Sequence, residues 1–74
     1  MNRNENKKAI ASRCRGKLAE RRITLKSVAA ALGISETTIY SKMSGGSELT
    51  LTELAAIATY FNFTREDVNF ILFG

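Results

Sequence analysis

The strongest constraint on the fold is a single glycine, Gly33, and the residues spaced around it. The run Val28-Ala-Ala-Ala-Leu-Gly-Ile-Ser-Glu-Thr-Thr-Ile39 puts an alanine, Ala29, four residues before that glycine and an isoleucine, Ile39, six after it. Glycine enters the left-handed region without a steric penalty, so Gly33 can turn the chain sharply where a helix ends. Ile34 can plug the corner that results, and Ser35 can cap a following helix by accepting from its exposed amides. Ala29 is small enough for the two helices to cross closely, and Ile39 packs the second back onto the first. The spacing predicts helices over about 25–32 and 36–44 joined in a helix-turn-helix.

The rest of the chain agrees with a helical fold. There is no proline, no Gly/Ser linker and no repeat, and polar clusters divide the 74 residues into about five amphipathic segments. In the first, Ile10, Cys14 and Leu18 recur at i, i+4 and i+8 and share one face, while Arg13, Arg15, Lys17 and Arg21 point elsewhere; a helix over about 7–22 follows. Thr24 is the expected N-cap of the second helix, which turns Val28, Ala29 and Leu32 inward. In the third only Ile39 and Met43 form a buried stripe. Its other residues, Glu36, Thr37, Thr38, Tyr40, Ser41, Lys42 and Ser44, make a short polar face rich in hydrogen-bonding groups.

Gly45-Gly46 ends the third helix, and Thr50-x-x-Glu53 is a capping box opening a fourth that carries Leu51, Leu54, Ile57, Ala58 and Phe61. Asn62 is the expected C-cap. Thr64-x-x-Asp67 opens a fifth helix whose Val68, Phe70, Ile71, Leu72 and Phe73 leave it apolar on more than one side. The expected architecture is an all-α, compact bundle of five short helices. A polar N-terminal tail over 1–7 precedes a single domain over 8–74.

Composition removes several functions. The chain has 8.2 kDa, room for one small domain, with 45% apolar and 24% charged residues, an ordinary globular balance. It has no histidine and one cysteine, so zinc sites, Ser-His or Cys-His catalysis and internal disulfides are all excluded. Seven acidic residues with no obvious inward-facing pair give no acid–base dyad. No enzyme activity, metal, cofactor or small-molecule substrate is expected, and Cys14 reads as a small buried hydrophobe. The longest uncharged stretch, 54–64, is well short of the roughly 18–20 residues a membrane span needs. Arg13, Arg15 and Lys17 leave no apolar stretch after the basic N-terminus, so a cytoplasmic location is expected and no membrane partner.

Charge is divided along the chain. Residues 1–45 hold ten Lys or Arg against three acids, a net +7, and residues 46–74 hold one against four, a net −3. A surface that binds a polyanion needs such a concentration, because each neutralised phosphate releases condensed counterions; solubilising the first helix is the competing use of the same residues.

With the turn, the capped fourth helix and the basic half in view, residues 12–73 resemble the Cro/CI-type (Xre-like) helix-turn-helix family of phage and bacterial regulators. The segment Gly33-Ile-Ser-Glu-Thr-Thr-Ile-Tyr-Ser-Lys-Met-Ser-Gly-Gly-Ser-Glu-Leu-Thr-Leu-Thr-Glu-Leu54 is similar to small prophage regulators, and the ending Asp67-Val-Asn-Phe-Ile-Leu-Phe73 also resembles theirs. The resemblance implies a domain that binds double-stranded operator DNA, usually as a homodimer on a near-palindromic site, and represses or activates a promoter. It implies base-edge contacts from Glu36, Thr37, Tyr40 and Ser41, and phosphate contacts from Thr24, Lys26, Lys42 and Ser44. Helical spacing agrees in part, since Thr37, Tyr40 or Ser41, and Ser44 share a face opposite Ile39 and Met43. Other roles are open to four of these residues: Glu36 as a first-turn partner of the helix dipole, Tyr40 packed over the second helix, and Lys26 and Lys42 as solvated charges. The sequence departs from the family pattern at Leu25, where many members carry glutamine, and at Lys42-Met43, where an acid often stands in a Trp-Glu or Tyr-Glu pair.

Two functions fit. The first is a sequence-specific transcriptional regulator, a phage or prophage repressor or Cro-like protein. Its dimer would lay two copies of the third helix into successive major grooves roughly 34 Å apart. The second is an anti-repressor or modulator that uses the fold to bind a partner repressor protein, suggested by the apolar end of the fifth helix and the weakly basic third. Phe70, Ile71 and Phe73 are the expected dimer or partner interface, and core packing explains the same residues.

Overall fold

From the end of the first helix onward, the helix boundaries are set by short local hydrogen-bonding devices that recur along the chain. The computed structural model describes residues 3–74, with side chains from Lys7 onward. Its helices are α1 (Arg3–Glu20), α2 (Leu25–Leu32), α3 (Glu36–Ser44), α4 (Leu51–Tyr60) and α5 (Arg65–Phe73), and no strand occurs among the described residues. The all-α, five-helix expectation holds.

Thr24, Ser35, Thr50 and Thr64 are the N-caps of α2 to α5. Each has extended backbone angles and accepts from the amide three residues on, at Ser27, Thr38, Glu53 and Asp67. At Thr50 and Thr64 the acid three residues on accepts from the cap's own N–H, so both expected capping boxes form.

The C-termini of α1 to α4 also end alike. A residue in the left-handed region follows each: Arg22 at φ 57°, Gly33 at 70°, Gly45 at 87° and Asn62 at 57°. The next amide then reaches back five residues, as Ile23 to Leu18 O (2.9 Å), Ile34 to Ala29 O (3.0 Å), Gly46 to Ser41 O (2.9 Å) and Phe63 to Ala58 O (2.9 Å). This is the Schellman pattern, and Ile23, Ile34 and Phe63 are thereby folded back against the core. Gly33 does turn the corner of the helix-turn-helix, with Ile34 packed into it.

α1 departs from expectation at both ends. It begins at Arg3, not near residue 7, so residues 3–7 of the expected polar tail are helical; Met1 and Asn2 lie outside the described residues. Apolar periodicity marks where a helix is covered, and the Asn-Glu-Asn-Lys-Lys run has no apolar stripe yet contains no proline or glycine to stop a helix. The helix stops at Glu20, short of 22, because Arg22 leaves right-handed space.

The core draws on every helix: Cys14 and Leu18 from α1, Val28 and Ala29 from α2, Ile39 and Met43 from α3, Leu54 and Ile57 from α4, and Ile71 from α5. The principal packed pairs are α1–α5, α1–α3, α2–α3 and α2–α4. In space the order is therefore α5, α1, α3, α2, α4, which puts α3 in the middle with its inner face covered from both sides. Leu25, the departure from the family's glutamine, packs against this core. Cys14 is fully buried, and burial pushes its thiol up to about 11, so it stays protonated and behaves as the expected small hydrophobe.

Candidate nucleic-acid interface

α3 is short, and its two sides differ sharply. Ile39 and Met43 are buried, while Glu36, Thr37, Tyr40 and Ser44 are exposed, Tyr40 to 54%. With no apolar side chain on the outer face except the Tyr40 ring, α3 offers hydroxyls and a carboxylate to whatever it meets. Three of the four expected base-contacting residues, Glu36, Thr37 and Tyr40, are thus brought together on that face. Ser41 is not: it is half-buried, its Oγ lies 2.6 Å from Ser47 Oγ, and its carbonyl accepts from Ser44 Oγ at 3.1 Å. Its side chain closes the turn after α3 because a serine one turn from a glycine pair meets the returning loop.

The expected phosphate-contacting residues also divide. Thr24 stands at the exposed N-terminus of α2, its Oγ1 accepting from Ser27 N at 3.1 Å. Lys26 is exposed and has no ion pair among the described residues. α2 carries no acid in its first turn, whereas α3, α4 and α5 begin with Glu36, Glu53, and Glu66 with Asp67, so its positive dipole end is left uncompensated. Ser44 is exposed, with its hydroxyl folded onto Ser41 O.

Lys42 corrects the sequence reading. Its side chain is only 14% exposed, and its ammonium donates to Glu48 O at 2.9 Å and Glu53 Oε1 at 3.1 Å. Held this way, the ammonium has two of its three N–H groups engaged within the domain, unlike that of the exposed Lys26. Burial pushes the Glu53 carboxyl up, but the Thr50 N–H and the Lys42 ammonium outweigh it and hold the group below the usual range.

Much of the N-terminal basic charge is likewise spent inside the molecule. Arg13, Lys17 and Arg21 recur at i, i+4 and i+8 and face α5. Arg13 Nε donates to Ile71 O at 2.9 Å and its Nη2 to Leu72 O at 3.3 Å, satisfying carbonyls at the end of α5. Arg21 pairs with Asp67, donates to Phe61 O and Asn62 O, and stacks over the Phe63 ring. Lys17 lies 3.7 Å from Asp67 and over the Phe70 ring. The Thr64 N–H, with its hydroxyl and these two cations, holds Asp67 below the usual carboxylate range against the opposing effect of burial. The sequence reading placed these residues off the apolar face of α1 without assigning them a partner; their i, i+4 spacing carried the signal that they share one. Among the described residues Lys8, Arg15, Arg22, Lys26 and Arg65 are exposed without an ion pair.

The expected interface on α5 is corrected at Ile71, which is fully buried within the core cluster shared by all five helices. Phe70 (43% exposed) and Phe73 (80%) remain outside; on α4, Tyr60 is an exposed apolar residue that sequence reasoning did not single out, and Leu51, expected on the apolar stripe of that helix, is exposed in its first turn. No group of three or more metal-ligating side chains occurs among the described residues, and no helix there is long and apolar enough to cross a membrane.

A central helix with a covered inner face and a polar outer one, entered through a glycine turn from a capped partner, defines a helix-turn-helix DNA-binding domain. Comparison with protein-family models matches residues 15–69 to the Cro/C1-type HTH DNA-binding domain, and the chain belongs to that family. Its class is therefore that of DNA-binding transcription regulators. No curated protein and no solved structure gave a match.

Proposed function

We propose that the chain is a sequence-specific, non-enzymatic regulator of phage or prophage type, a repressor or Cro-like protein, that binds operator DNA as a homodimer with α3 in the major groove. The observation that carries this reading is the outer face of α3, where Glu36, Thr37 and Tyr40 stand free above the buried Ile39 and Met43. Thr37 and Tyr40 supply hydroxyls and a ring for base edges and a thymine methyl, and Glu36 accepts from a cytosine amine. Thr24 and Lys26, at the uncompensated N-terminus of α2, and Ser44 hold phosphates, with Arg22 two residues before the cap as an added candidate. Phe70 and Phe73 form the dimer surface.

The test is a fluorescence-anisotropy titration against random and genomic DNA fragments at several salt concentrations. A subset of fragments bound about a thousandfold tighter than bulk is expected, with a salt slope of about 0.9 per phosphate. Lys26→Ala should lower that slope by about 0.9 and weaken all fragments alike, while Tyr40→Ala should erode selection, at about 1–3 kcal/mol per lost base contact. Uniform weak binding by the native protein would defeat the reading. The exposed Phe73 favours one alternative, an anti-repressor or modulator docking on a partner repressor. That reading requires Lys26→Ala to leave function intact and Phe73→Asp to abolish it.

A further inference from the structure

Lys42, at the last turn of α3, forms a bridge that the DNA-binding reading does not use. α3 and α4 both pack on α2 and are not a principal packed pair themselves. Between them runs the turn from Gly45 to Thr50, and the Lys42 ammonium crosses it, donating to Glu48 O at 2.9 Å and to Glu53 Oε1 at 3.1 Å. The same Glu53 oxygen accepts from Thr50 N at 2.9 Å, so the bridge ends on the capping box that starts α4. On the other flank the Ser41 carbonyl accepts from Gly46 N (2.9 Å) and Ser47 N (3.2 Å). The turn is pinned from both sides by two neighbouring residues of α3.

We propose that Lys42 is a positioning residue: without touching DNA, it fixes the orientation of α3 against α4 and so aims Glu36, Thr37 and Tyr40. This rests on the reading of α3 as the helix that contacts bases. α3 is about 13 Å long, so a tilt of about 5° displaces one end by about 1 Å, enough to spoil hydrogen bonds whose useful distance range is about half that. Glu53 is the other half of the device, and it gives the inference an unusual sign. An acid near a DNA surface repels phosphate, so its removal should tighten binding; if it anchors Lys42, its removal should weaken selective binding.

The experiment compares Lys42→Met, Glu53→Gln, the double variant and Lys42→Arg. Glutamine at 53 keeps an oxygen for the Thr50 N–H, so the cap survives and only the charge is lost. Anisotropy is read on a selected fragment and on bulk DNA across salt, and residual dipolar couplings report the α3–α4 orientation in the DNA-free protein. Each single variant is expected to lose about tenfold in affinity for the selected fragment, with bulk affinity and salt slope unchanged. The double variant should lose no more than either single one, Lys42→Arg should retain selection, and the couplings should show α3 reoriented in both singles. A salt slope lower by about 0.9 in Lys42→Met, with Glu53→Gln neutral or tighter, would make Lys42 a phosphate contact and overturn the proposal. A fall in melting temperature with the selected-to-bulk ratio preserved would also overturn it, since the bridge would then serve stability alone. If the native protein selects no DNA, the DNA reading fails and the couplings decide the bridge: α3 reoriented in both singles sustains it, and α3 unmoved removes it.

Discussion

Arg22 holds a backbone conformation that glycine adopts freely and a Cβ-bearing residue adopts at a cost, at φ 57°. Gly33 and Gly45 meet the same demand at the ends of α2 and α3, and Asn62, an amide that tolerates this region, meets it after α4. Arg22→Gly is expected to stabilise the domain by about 0.5–1 kcal/mol, raising the melting temperature by several degrees, as read by calorimetry. The equivalent change at Asn62 should do less. At this scale the sequence was legible wherever a residue's partner lies within one turn. The caps Thr24, Ser35, Thr50 and Thr64 follow from a side chain meeting the amide three residues away, and the turn at Gly33 from the backbone freedom of a residue without a Cβ. The partners of Lys42 and Arg13 were not legible because they lie 11 and 58 residues away, and a count of charges carries the sign of a group without the address of its counterpart.

Among the elements, α4 and α5 share a device that ties their stability to pH. Each starts on a capping box whose acid, Glu53 or Asp67, is held below its ordinary range in the folded state. The unfolded chain therefore binds more protons as pH falls, and the stabilisation, complete above the unfolded values near about 4, is lost as pH drops through the lower folded values. Urea midpoints should stay level from about pH 7 to 5 and fall below about pH 4.5, and Glu53→Gln with Asp67→Asn should flatten that decline. Thr50→Ala should cost about 1 kcal/mol at neutral pH by the same assay. Helix number, type and order were readable from periodicity and caps. The start of α1 at Arg3 was not, because the Asn-Glu-Asn-Lys-Lys run carries no apolar stripe for periodicity to register.

Over the whole molecule, the spatial order α5, α1, α3, α2, α4 separates two kinds of attachment. α3 is gripped through buried apolar side chains from both neighbours, and that rigidity suits a helix whose outer face must match a fixed pattern of partners. α5 gives the core one fully buried side chain, Ile71, with Leu72 partly buried against it, and is further held by Arg13, Lys17 and Arg21 through carbonyls, a carboxylate and the Phe70 ring. Contacts of that kind leave much of the backbone near water, so native-state hydrogen exchange should show α5 amides opening with a lower free energy than those of α2 and α3. The fold could be inferred from order of residues alone, but not this inequality, which depends on what the basic stripe of α1 faces. Its consequence is thermodynamic: Phe70 and Phe73 ride on an element expected to open more readily than α2 and α3, so any association through them closes an equilibrium as well as an interface. Protection across α5 would then rise with protein concentration while that of α2 and α3 stayed constant.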